Sequence, residues 1–140
     1  MKTVIGLYGT ANTGKSATLR KVYELLKAKH PNAPVTHEII NHDVRAIFNV
    51  NGLKIGIESQ GDPGSRIFTS ISMFEREECE IIVCATRTRG KTVEVIENLK
   101  PKYDIKWIPK VREPDEAQHE QINNALATDI FKQVQSLIHA

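Results

Sequence analysis

The chain has 140 residues, 40% hydrophobic and 26% charged, the composition of one ordinary globular domain spanning 1–140, which excludes a disordered chain. Nineteen basic and 17 acidic residues leave a net charge of +2, too small to supply a nucleic-acid footprint by itself. The longest unbroken apolar run, residues 81–85, is far too short to cross a bilayer, so no membrane partner is expected.

Residues 3–7 form a short apolar run behind Met1-Lys2, a faint imitation of a signal peptide. The run is brief, contains Gly6 and leads straight into a glycine-bounded loop, so it reads as a first strand. That loop is Gly9-Thr10-Ala11-Asn12-Thr13-Gly14-Lys15-Ser16, which fills every fixed position of G-x-x-x-x-G-K-[ST] between a strand and a helix. Glycine at each end lets the backbone wrap closely, so that successive N–H groups and a helix N-terminus converge on an anion. Lys15 adds a mobile cation for the outer phosphates, and the Ser16 hydroxyl suits magnesium. By these residues the chain resembles the P-loop NTPase superfamily, with no narrower family indicated. The resemblance implies ATP and Mg2+ as cofactors, bound by Gly9 to Ser16 with the adjoining Ala17. It also implies an acidic residue at the end of a strand beside the phosphate loop.

Leu19, Val22 and Leu25 or Leu26 recur at helical spacing until His30-Pro31 ends the pattern. Residues 31–34 read as a loop and 35–40 as a short strand. Its His37-Glu38 and the nearby His42-Asp43 have metal-ligating side chains, but alternation on a half-exposed strand and its exit loop explains them without a metal. Asn51-Gly52 between residues 44–50 and 53–58 is a type I′ hairpin signal, which sets Val50 opposite Leu53, Phe48 opposite Ile55, Ala46 opposite Ile57 and Arg45 opposite Glu58.

Glu58 closes the apolar arm, and Ser59-Gln60-Gly61-Asp62-Pro63-Gly64 follows as a loop. Two carboxylates compete for the magnesium-side role, Glu58 at the strand end and Asp62 four residues on. Glu58 is favoured, the plain alternative being a cross-strand pair with Arg45. Glu58-x-x-Gly61 also resembles the segment by which GTPase-like members sense the γ-phosphate.

Ile67, Ile71 and Phe74 indicate a helix over residues 65–77, with Arg66 at its start as a further anion contact. Residues 81–85 read as a strand covered on both faces. Cys84 lies within it and Cys79 is the only other cysteine, so a reduced, cytoplasmic chain is expected. From its end issues Thr86-Arg87-Thr88-Arg89-Gly90-Lys91-Thr92, half of a second phosphate loop lacking the first glycine. A short helix around Val93, Ile96 and Leu99, a strand over 104–108 and a last helix striped by Ile122, Leu126, Ile130 and Val134 complete the chain.

Strands alternating with helices, with one inserted antiparallel hairpin, predict an α/β fold: a mainly parallel sheet with helices on both faces, the three-layer arrangement of P-loop proteins. Ligands bind beyond the carboxyl ends of such strands, where Arg66, Arg87, Arg89 and Arg112 also fall. Lys15, Glu58, Arg87 and Arg89 are the catalytic expectation.

Two functions follow. One is a nucleotide-kinase-like enzyme that transfers the γ-phosphoryl of ATP to a small phosphorylated acceptor held by Arg66, Arg87 and Arg89. The other is an ATP- or GTP-dependent switch in which the 59–65 loop signals to a protein partner. No Asn/Thr-Lys-x-Asp guanine motif follows either late strand, so adenine is the default base, with Pro109 and Arg112 as weak candidates for lining it.

Overall fold

The computed structural model describes residues 2–139, in which strands alternate with helices except for three consecutive strands after the first helix. In chain order they are β1 (Lys2–Tyr8), α1 (Lys15–Lys29), β2 (Val35–Ile40), β3 (Val44–Val50), β4 (Leu53–Glu58), α2 (Ile67–Arg76), β5 (Ile81–Thr86), α3 (Lys91–Glu97), β6 (Tyr103–Pro109) and α4 (His119–Ile138). The protein is therefore α/β, with a mixed six-stranded sheet in the order β2-β3-β4-β5-β1-β6. Strands β4, β5, β1 and β6 pair in parallel, and β3 runs against both of its neighbours.

The hairpin forms in the expected register, with Val50 opposite Leu53, Phe48 opposite Ile55, Ala46 opposite Ile57 and Arg45 opposite Glu58. Asn51 at φ 54° supplies the positive dihedral that the turn requires. The antiparallel part is nevertheless larger than one hairpin. Only residues 41–43 separate β2 from β3, too short a connection for a parallel crossover, so β2 must return against β3 and a three-stranded meander results. Because β3 is reversed, β2 points the same way as β1, and its exit turn lies at the carboxyl edge of the sheet.

Strand β5 is buried along its whole length between β4 and β1, as its unbroken apolar run demands. On one face Leu19, Val22 and Leu26 of α1 and Ala127, Ile130 and Val134 of α4 pack over Ile5, Leu7, Phe48 and Val83. On the other, Ile67, Ile71 and Phe74 of α2 and Ile96 of α3 cover Val4, Ile47, Ile82 and Cys84. Each fully buried aliphatic side chain contributes roughly 1.5–3 kcal/mol, so an apolar-to-polar change at Leu19 or Ile71 would weaken the packing of its helix on the sheet by at least that much. Both cysteines are free and buried. Among the described residues no helix is long and apolar enough to cross a membrane.

Candidate functional site

Where β1 ends, residues 9–14 turn the chain into α1. Asn12 at φ 59° and Gly14 at φ 94° both sit in the left-handed region. Left-handed residues among right-handed ones swing successive N–H groups to one side, the geometry of an anion-binding nest. Helix α1 has neither a side-chain cap nor an acidic residue in its first turn. Its amides and the positive end of its dipole therefore remain available to a ligand.

Lys15 is only 7% exposed, and its Nζ donates to the loop's own carbonyls, Gly9 O at 2.5 Å and Thr10 O at 2.9 Å. Burial lowers its pKa, with Arg87 adding to that effect and Asp62 opposing it. A desolvated ammonium held by neutral carbonyls gains strongly from an anion. The loop is also clamped from behind: the Lys110 amide donates to Tyr8 O at 2.8 Å, and a Cβ on Gly9 would lie 2.4 Å from Lys110 O.

In front of the loop lies a cleft of about 350 Å³ with three walls: residues 11–17, Asp43 in the β2–β3 turn, and Ser59, Gln60, Gly61 and Asp62 after β4. Ser16 Oγ donates to Asp43 Oδ1 at 2.6 Å, and Ser59 Oγ donates to the same oxygen at 2.9 Å. Gln60 Nε2 reaches Asp43 Oδ2 at 3.4 Å, while Gln60 Oε1 accepts from the Arg66 amide at 2.8 Å. Burial works against ionisation of Asp43, but the hydrogen bonds from Ser16, Ser59 and Gln60, with Arg66 nearby, outweigh it and hold the carboxyl below its ordinary range.

Glu58, expected at this site, is placed elsewhere. Strand β5 lies between β1 and β4, and Glu58 is level with Cys84, itself level with Gly6. That is three residues, about 10 Å, short of Gly9 along the strand direction. Its carboxylate is fully buried and accepts from Arg66 Nε at 2.8 and 3.1 Å, Ser70 Oγ at 2.5 Å and the Gln60 amide at 3.1 Å. Three donors make four contacts with its two oxygens, and it does not line the cleft. The cross-strand neighbour Arg45 instead donates to His37 O.

The arginines divide. Arg66 is spent on Glu58, and Arg87 Nε is ion-paired with Asp62 Oδ1 at 2.8 Å at the rim of the cleft. Arg89, Arg112 and Pro109 are exposed. Gly61 has a packing reason, since a Cβ there would lie 2.2 Å from Ala85 O. The spacing Glu58-x-x-Gly61 thus carries the chain from a buried ion pair to a close contact with the end of β5.

No family model, curated protein or solved structure matches this chain.

Sequence reasoning singled out every residue from Gly9 to Ala17 but passed over Asp43, Ser59 and Gln60 as cleft residues. Asp43 was legible only as part of a His-Asp pair in an exit loop. The available signal was the shortness of the 41–43 connection, which forces β2 to run with β1 and so brings its exit turn to the carboxyl edge of the sheet. His37 and Glu38 remain apart from this site, Glu38 accepting from the Tyr23 hydroxyl and pairing with Lys27 at 3.0 Å. Among the described residues no group of three or more His, Cys, Asp or Glu side chains is placed to hold a metal ion.

Proposed function

We propose that this chain is a P-loop NTPase, with the three-layer fold of that superfamily, that binds the phosphates of ATP on residues 9–17 and hydrolyses it with magnesium. The observation that carries the reading is the loop itself: left-handed Asn12 and Gly14, an uncapped helix start, and a buried lysine folded onto its own loop carbonyls beside the cleft. On binding, Lys15 exchanges those carbonyls for phosphate oxygens, and the loop amides turn from solvent to ligand. The Ser16 hydroxyl, in the first turn of α1, would help hold a divalent cation there, which would supply neutralisation of phosphate charge. Arg87 stands at the rim, close enough to Lys15 to depress its pKa, and is the side chain able to leave Asp62 for the outer phosphate. Positioning and charge neutralisation of this kind are most of what phosphoryl transfer requires.

Transfer to a phosphorylated acceptor is the second reading, resting on an arginine cluster in need of an anion. Two of its three arginines already have carboxylate partners, Arg66 with Glu58 and Arg87 with Asp62, which leaves Arg89. The hydrogen bonds from Asp43 through Gln60 to the start of α2 favour hydrolysis coupled to a movement of residues 59–66, the switch reading, with a protein partner.

The test is a thermal melt with and without Mg-ATP. Ligand at a hundred times its dissociation constant adds about 2.7 kcal/mol, which for a chain of this length raises Tm by roughly 5–10 °C. Lys15→Ala should abolish most of the shift. No shift with ATP, GTP or any other triphosphate would refute the reading.

A further inference from the structure

The carboxylate expected at the cation, Glu58, is walled off beneath the cleft, and Asp62 lines the rim of the cleft but takes its contact from Arg87, whereas Ser16 donates to Asp43. Asp43 remains, and its surroundings have a definite chemistry. A hydroxyl has one proton and two lone pairs. Ser16 gives its proton to Asp43 Oδ1 at 2.6 Å, so its lone pairs are left for something electropositive, and it sits in the first turn of α1, beside Lys15. Ser59 gives its proton to the same oxygen at 2.9 Å while accepting from the Val44 amide, which fixes the turn that carries Asp43. Adjacent oxygens on a magnesium ion lie about 3 Å apart, given metal–oxygen distances of about 2.1 Å. The Ser16–Asp43 separation is within a few tenths of an ångström of that. Magnesium is ordinarily held by one or two carboxylates together with substrate phosphates, and a single carboxylate with a hydroxyl at a phosphate loop is a donor set of that type.

The geometry points to Asp43, from the turn between β2 and β3, as the carboxylate that holds the divalent cation at this phosphate loop, with the Ser16 hydroxyl beside it and the nucleotide's phosphates completing the shell. The inference rests on triphosphate binding at residues 9–17. It places the cation's protein ligand on the meander, outside the parallel strands. It also connects the cation to α2, because Gln60 bridges Asp43 Oδ2 and the Arg66 amide.

The experiment is calorimetric titration with a non-hydrolysable ATP analogue, with excess magnesium and again with EDTA, on wild type, Asp43→Asn, Asp62→Asn and Asp43→Cys. Magnesium should tighten the wild type and the Asp62 variant by about tenfold or more, and Asp43→Asn should lose most of that gain. In EDTA Asp43→Asn should bind as tightly as wild type or more tightly, because a negative charge facing the triphosphate is gone. Asp43→Cys should lose the magnesium gain and recover a gain with cadmium, which prefers a soft thiolate, and a side chain that does not touch the metal offers no such rescue. Circular dichroism confirms that each variant is folded.

An undiminished magnesium gain in Asp43→Asn would overturn the inference and leave nucleotide binding standing. Equal loss with and without metal, or absence of cadmium rescue, would reduce Asp43 to a structural role and overturn it as well. A wild type that binds no triphosphate under either condition would bring down the functional reading and this inference together.

Discussion

Glu58→Gln tests whether the buried carboxylate serves the fold or the nucleotide. The substitution keeps the shape of the side chain and removes its charge. Glu58 is fully buried and accepts from Arg66, Ser70 and the Gln60 amide, while the Arg66 side chain is 18% exposed and its Nη2 is buried with no hydrogen-bond partner. Removing one partner of a buried ion pair costs about 3–5 kcal/mol, because the other charge is left uncompensated. The residual exposure of Arg66, and the amide oxygen that glutamine still offers to Ser70, reduce this to about 2–3 kcal/mol. At roughly 3–4 °C per kcal/mol for a chain of this length, Tm should fall by about 7–10 °C. Urea unfolding followed by circular dichroism reads the loss directly, with an unchanged m-value showing that the unfolded state is the same. A cycle with Arg66→Met adds a second check. Removing both charges together should cost much less than the sum of the single changes, since neither charge is then stranded. A loss under about 1 kcal/mol accompanied by loss of Mg-ATP binding would refute this reasoning and return Glu58 to the phosphates.

Gly61→Ala should destabilise by about 1–3 kcal/mol or more, since its Cβ would meet Ala85 O at 2.2 Å and Ala85 C at 2.4 Å, both backbone atoms that cannot step aside. A variant that melts with the wild type would show that residues 59–64 are not pinned to β5. Burial pushes the thiols of Cys79 and Cys84 up to about 12, so both should resist a thiol reagent at pH 8 in the native protein and react at once in denaturant. Fast reaction of either thiol in the native protein would contradict its burial.

Local pattern was enough for every strand and α-helix named above, because each announces itself through neighbours in sequence. The stripe of α4, the unbroken apolar run of β5 and the Asn51-Gly52 turn are legible within a few residues, and the turn alone sets the register of β3 against β4. The left-handed dihedrals of the 9–14 loop are of the same kind, since Gly14 and Asn12 are residue types that tolerate them. The carboxylate beside Ser16 depended on strand order, which no local pattern states. With β5 inserted between β1 and β4, Glu58 is carried one strand away from the 9–14 loop and about 10 Å down the sheet, where burial compels it to take Arg66 as partner. With β2 folded back on β3, Asp43 comes 27 positions along the chain to within 2.6 Å of Ser16. Which carboxylate faces the cleft is a question of which strand ends are neighbours. Such contacts join residues far apart in sequence, so only the packing of the whole sheet decides them.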